Sequence, residues 1–225
     1  MANSTALVRL GGICGILFVI LLVPGIFAAR PDVPDASLRA QQVLDYFDDK
    51  QRALLIGNGL LFIFAAFFFL WFLGVLHSVL RNAEGGEIGL SSVALAGGLM
   101  FVALETAGAS VEIVHPATTS RFENFQPDAQ LAFVSQALSG WLYSFAWVGM
   151  AVLISASSVV ALRTGFLPSW LAWAGLLAAL VAALKVLVPH ATLALLWILA
   201  VSVLMIAGSV IRTTTIGPRR LGRTS

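Results

Sequence analysis

The residues best placed to do chemistry are Glu105 and Glu112. They lie in an otherwise apolar stretch, GLSSVALAGGLMFVALETAGASVEIVHP, from Gly89 to Pro116. Seven residues is close to two helical turns, so both carboxylates fall on one helix face, about 10 Å apart along its axis. The stretch is long and apolar enough to cross a bilayer. An ionisable group at membrane depth costs at least about 2.5 kcal/mol on insertion scales, so it must face protein or water, and it often marks function. Glu105 is read as a proton or cation site. Glu112 and His115 form a Glu-x-x-His pair, a spacing that sets both side chains on one face, as in the metal sites of helical bundles.

Other polar groups join them by depth. Lys185 stands four residues before Pro189, as Glu112 stands four before Pro116. In two helices running the same way the side chains reach similar depth, which makes Lys185 a counter-ion for Glu112. His190 follows just above. Asn58 enters from the same end on an earlier span, and Gln136, Ser139 and Tyr143 enter on a later one. The candidate ligand- or proton-binding residues are therefore Glu105, Glu112, Lys185, His115, Asn58 and His190. Each also has a structural reading. Lys185 snorkels to the interface; His190 and His77 sit at span ends; Asn58 holds helices together; Glu105 is a neutral or hydrogen-bonded packing group.

Two functions fit this set. The first is non-enzymatic: an outward-facing polar pocket for a small solute, ion or proton. The alternative is an intramembrane metal-dependent hydrolase, with Glu112, His115 and His190 as metal ligands and an open position for water. No catalytic residue is assigned under the first reading, and no cofactor is expected. The chain carries no nucleophile elbow, phosphate loop or dinucleotide fingerprint.

The elements that must position these groups follow from composition. The chain has 225 residues, 59% hydrophobic and 11% charged, with a mean hydropathy of +0.95. Soluble domains carry about 25% charged residues, so lipid must be the solvent for most of this chain. The arginines are dispersed at span ends, which excludes a nucleic-acid surface. Partners are the bilayer and, in a homo-oligomer or with another membrane subunit, neighbouring helices. Apolar periodicity predicts an all-α transmembrane bundle, residues 1–211, with six spans near 6–29, 53–80, 89–115, 129–162, 169–188 and 191–211, and a basic tail, 212–225, without fixed structure. The first span exceeds a signal-peptide core and is expected to remain, with Gly11, Gly12 and Gly15 forming a small-residue packing face. A short amphipathic helix capped by Asp35 is expected after it, and Asp128 repeats that cap before the fourth span. The third span is expected to stop at His115-Pro116. Arg81, Arg163 and Arg212 end the second, fourth and sixth spans, which places both termini in the cytoplasm of a plasma-membrane protein. The layout suggests three helical hairpins.

Three segments, LRNAEGG at residues 80–86, LAGG at 95–98 and RTGFLPSWLAW at 163–173, carry a resemblance. The chain resembles the small multi-pass membrane proteins of the domain-of-unknown-function kind found in actinobacteria. That resemblance lies in layout. It implies a helical membrane bundle and supplies no activity and no site residues.

Overall fold

A backbone in hydrocarbon must satisfy its own hydrogen bonds, which leaves only helices and closed barrels. The computed structural model shows the helical solution. It describes residues 2–27, 49–86, 89–122, 128–184 and 192–208. Among these residues there are six helices: α1 (Ala2–Phe27), α2 (Asp49–Ala83), α3 (Leu90–Arg121), α4 (Ala129–Thr164), α5 (Ser169–Ala183) and α6 (Thr192–Ala207). Four of them hold segments long and apolar enough to cross a membrane: Thr5–Pro24, Ile56–Ala83, Leu90–Val114 and Ala129–Thr164. α5 and α6 are apolar but span 15 and 16 residues. The expected Asp35-capped helix, Lys185, His190 and the tail lie outside the described residues.

Helices α1 to α5 pack mainly on their neighbours in the chain, whereas α6 packs most on α1, which closes the ring. Small residues set the closest approaches. On α1, a Cβ at Gly11 would lie 2.6 Å from Val75, and one at Gly15 would strike Phe72 and the Ser202 hydroxyl. The glycine face expected from sequence is thus used on two partners, α2 and α6. Between α3 and α4 the backbones themselves meet. A Cβ at Gly97 would sit 2.7 Å from the Gly149 carbonyl oxygen.

The core is aromatic. Phe18, Phe69, Phe101 and Trp147 are buried and form a continuous ring contact from α1 to α4. Their centroids are 4.6 Å apart for Phe18–Phe69, 5.2 Å for Phe69–Phe101 and 5.6 Å for Phe101–Trp147. Such edge and tilted pairs add about 0.5–1.5 kcal/mol each beyond area burial. The phenylalanine-rich centre of α2 serves two environments. Phe62, Phe69 and Phe72 face inward, while Ile63, Phe64, Phe67 and Trp71 face out of the bundle. An apolar outer face of this kind suits lipid.

Local chemistry fixes the turns. Gly85 and Gly86 have φ of 81° and 88°, a region open to glycine at little cost. The Gly86 N–H donates to the Arg81 carbonyl at 2.8 Å, and the Gly85 N–H to that of Asn82 at 3.2 Å. This is a Schellman cap on α2. Glu84 then reaches forward and caps α3, its carboxylate accepting from the N–H of Leu90 and of Ser91, both at 2.9 Å. Gly89 leaves room for it, since a Cβ there would lie 2.7 Å from the carboxylate. His77 ties the same hairpin, donating from Nδ1 to the Ser91 carbonyl at 3.1 Å. Burial alone would raise the Glu84 carboxyl, but the hydrogen bonds from Ser91 and Leu90 and the charge of Arg163 hold it below the ordinary value of 4.5. A depressed carboxyl stabilises the fold above its unfolded value, and that contribution disappears as pH falls through the lower folded value. Glu84→Gln is therefore expected to cost about 1 kcal/mol at neutral pH, as for other helix caps. Wild type should lose this advantage only below about pH 4.5. Melting of both proteins in detergent across that range checks it.

The second hairpin turn ends α4 with Gly165 at φ 71° and opens α5 behind Pro168, whose carbonyl accepts from Leu171 and Ala172. At the opposite end of the bundle Asp128 caps α4 as expected, accepting from the Leu131 N–H at 2.8 Å. The apolar segment of α3 ends at Val114, next to the expected stop at His115-Pro116, but the helix itself continues to Arg121. A proline removes one N–H and crowds the turn before it, which leaves the Glu112 carbonyl without its usual donor. The helix tolerates that loss here.

Candidate functional site

The end of the bundle opposite the two hairpin turns gathers polar groups from three helices. α3 presents Glu105 and Glu112 inward, 7% and 4% exposed, so the shared face read from their spacing is the buried one. Glu112 accepts a hydrogen bond from the Tyr143 hydroxyl of α4 at 2.7 Å. A hydroxyl donating to a carboxylate at this distance is one of the stronger kinds of hydrogen bond. Gly108, one turn before Glu112, provides the room. A Cβ there would lie 3.1 Å from the Tyr143 ring.

Tyr143, Ser139 and Gln136 sit at four- and three-residue steps on α4, which places them on one face. Ser139 is 1% exposed, and its hydroxyl finds no hydrogen-bond partner among the described residues. Its neighbours behave otherwise. Thr106, Ser110, Ser144, Ser157 and Ser202 each donate to the carbonyl four residues earlier, the ordinary way a hydroxyl is satisfied inside a helix. Gln136 Oε1 is buried and also finds no partner among the described residues.

α2 supplies the third wall. Phe62 packs on Tyr143 with ring centroids 5.8 Å apart. Asn58 lies one turn before Phe62, as Ser139 lies one turn before Tyr143, so the two reach the same level. Gly59 fixes that level against α3, since its Cβ would touch Ile113 at 3.0 Å, next to Glu112. Asn58 is 3% exposed, with Oδ1 lacking a partner among the described residues. Leaving a buried polar group unpaired costs about 1–3 kcal/mol.

Deeper in the bundle, Glu105 borders a cavity of about 10 Å3 lined by Phe18, Leu22, Phe62, Phe101 and Thr106. That is close to the least room one water needs. Phe62 belongs to both levels, lining the Glu105 cavity on one side and stacking on the ring that holds Glu112.

Of the six residues expected to form the site, the structure brings Glu112 and Asn58 to one level and sets Glu105 about two turns deeper. Tyr143, Ser139 and Gln136 complete the level. The partner seen for Glu112 is Tyr143; Lys185, the expected counter-ion, and His190 lie outside the described residues, as does the side chain of His115. Of the alternative metal set, Glu112 alone can be placed. Among the described residues no three of His, Cys, Asp and Glu gather closely enough to hold a metal ion.

The sequence counted Tyr143 among the groups that enter the polar level but did not pair it with Glu112. Its partner lies 31 residues away, and only the rotation of α4 about its axis decides that they meet. The Ser158 hydroxyl, also buried without a partner among the described residues, stands apart from this level. It lies where α5 brings Gly175 against α4. Nearby, Trp197 Nε1 donates to the Leu171 carbonyl at 3.1 Å, which ties α6 to α5.

The architecture defines the class as a helical bundle, four of whose helices are long and apolar enough to cross a membrane. Beyond that class, comparison with protein-family models, curated proteins and solved structures finds no match for this chain.

Proposed function

We propose that this is a six-span protein of the plasma membrane, with both termini cytoplasmic, that binds a small solute, ion or proton at an outward-facing polar level. In this reading α5 and α6 cross with the four longer helices. The arginine-bearing ends of α2 and α4 face the cytoplasm. The three connections at the opposite end face outward.

The observation that carries the reading is the burial of Glu112 on Tyr143, at the level where Asn58, Ser139 and Gln136 bring buried oxygens that have no partner among the described residues. Glu105, deeper on the same face, extends the polar line inward.

Cysteine labelling in intact cells tests the reading, in a Cys14→Ala background. A cysteine at Ser139 should react with a small membrane-impermeant thiol reagent added outside, and a cysteine at Ser225 should not. External labelling of the Ser225 position overturns the orientation. Silence of the Ser139 position from both sides overturns the pocket.

A further inference from the structure

We infer that the polar level between α2, α3 and α4 is a site for a small monovalent cation, with Glu112 supplying the charge and Asn58, Gln136 and Ser139 supplying neutral oxygens. The inference rests on the proposal that this level is a binding site, and it names the ligand.

The donor set carries it. Every group that the described residues bring to the level offers an oxygen: a carboxylate, two amide carbonyls and two hydroxyls, that of Tyr143 already donating to Glu112. Oxygen sets select hard cations, whereas softer transition metals call for imidazole or thiolate. Charge narrows the choice further. One carboxylate balances one positive charge; a divalent ion would bring an uncompensated charge into a poorly solvated interior. An anion meets repulsion from Glu112 whichever end of the two amides it faces. The second observation is burial. Asn58 and Ser139 are 3% and 1% exposed, each with a polar atom that has no partner among the described residues. Both stand one turn before the Phe62–Tyr143 contact that brings α2 to α4. Long helical side chains lean back toward the N-terminus, so the Tyr143 hydroxyl, and with it Glu112, is carried toward the turn of Ser139. Tyr143 keeps the carboxylate aimed at that level.

The test uses the full chain in lipid nanodiscs. Its melting temperature is measured in sodium, potassium or ammonium chloride, each replaced stepwise by choline chloride at constant ionic strength. The expected result is a saturable rise with at least one small cation over choline. Ser139→Ala and Asn58→Leu should each weaken the apparent affinity on the order of tenfold, the effect of one lost polar contact, and Glu112→Gln should abolish the rise. The wild-type titration needs no variant to fold. Equal melting in all four salts overturns the cation inference. If Glu112 still takes up and releases a proton there, the binding level stands without its cation; if it does not, both readings fall together.

Discussion

Gly149→Leu is expected to pull α3 away from α4 and to lower stability sharply. A Cβ at Gly149 would lie 2.6 Å from the Gly97 carbonyl oxygen and 2.7 Å from the Phe101 nitrogen. Both neighbours are backbone, so no side chain can swing aside. The helices themselves must separate. Overpacking a core costs about 1–3 kcal/mol when side chains can adjust, and here the cost should reach or exceed the upper figure. The loss reaches the site as well. Tyr143 lies on α4 less than two turns from Gly149, and its bond to Glu112 spans the same interface. Gly140→Leu is the control. It is on the same helix with nothing within 4 Å of its would-be Cβ, and it should melt within a degree or two of wild type. Melting in detergent, followed by tryptophan fluorescence, checks both.

The second large effect belongs to Glu112 and Tyr143. Tyr143→Phe removes one donor and leaves the buried carboxylate short of a charge-assisted hydrogen bond, at about 1.5–3 kcal/mol. Glu112→Met leaves the tyrosine hydroxyl buried without its acceptor. The double variant replaces a polar pair by two apolar groups of similar shape, which can be nearly neutral. Stability measured for the four proteins should therefore be non-additive, with a coupling of about 0.5–3 kcal/mol. Additive losses would mean that the contact contributes nothing of its own.

Local features were legible in the sequence because their causes are local. The seven-residue spacing of Glu105 and Glu112 puts them on one face whatever surrounds them. Asp128 needs only the next three residues to cap α4, and Gly85-Gly86 makes its turn from its own backbone freedom. The pairing of helices was less legible. Gly97 and Gly149 announce a close contact only once it is known that α3 and α4 adjoin. Tyr143 reaches Glu112 through a rotation that an apolar helix does not encode, since apolar residues cover all sides of it and leave its inward face unmarked. The end of the third apolar segment was legible, since it falls at Val114 beside Pro116, but the continuation of the helix to Arg121 was not, because proline is a strong stop signal for a helix in water.

The account turns on whether Glu112 is a working carboxyl at an accessible level or a sealed structural one. Acid-minus-neutral infrared difference spectroscopy on the protein in lipid reads this directly through the carboxylic C=O stretch. The expected result is a carboxyl band that vanishes in Glu112→Gln and moves in Tyr143→Phe, because the tyrosine hydroxyl bonds to that group. A difference spectrum unchanged by Glu112→Gln would contradict it.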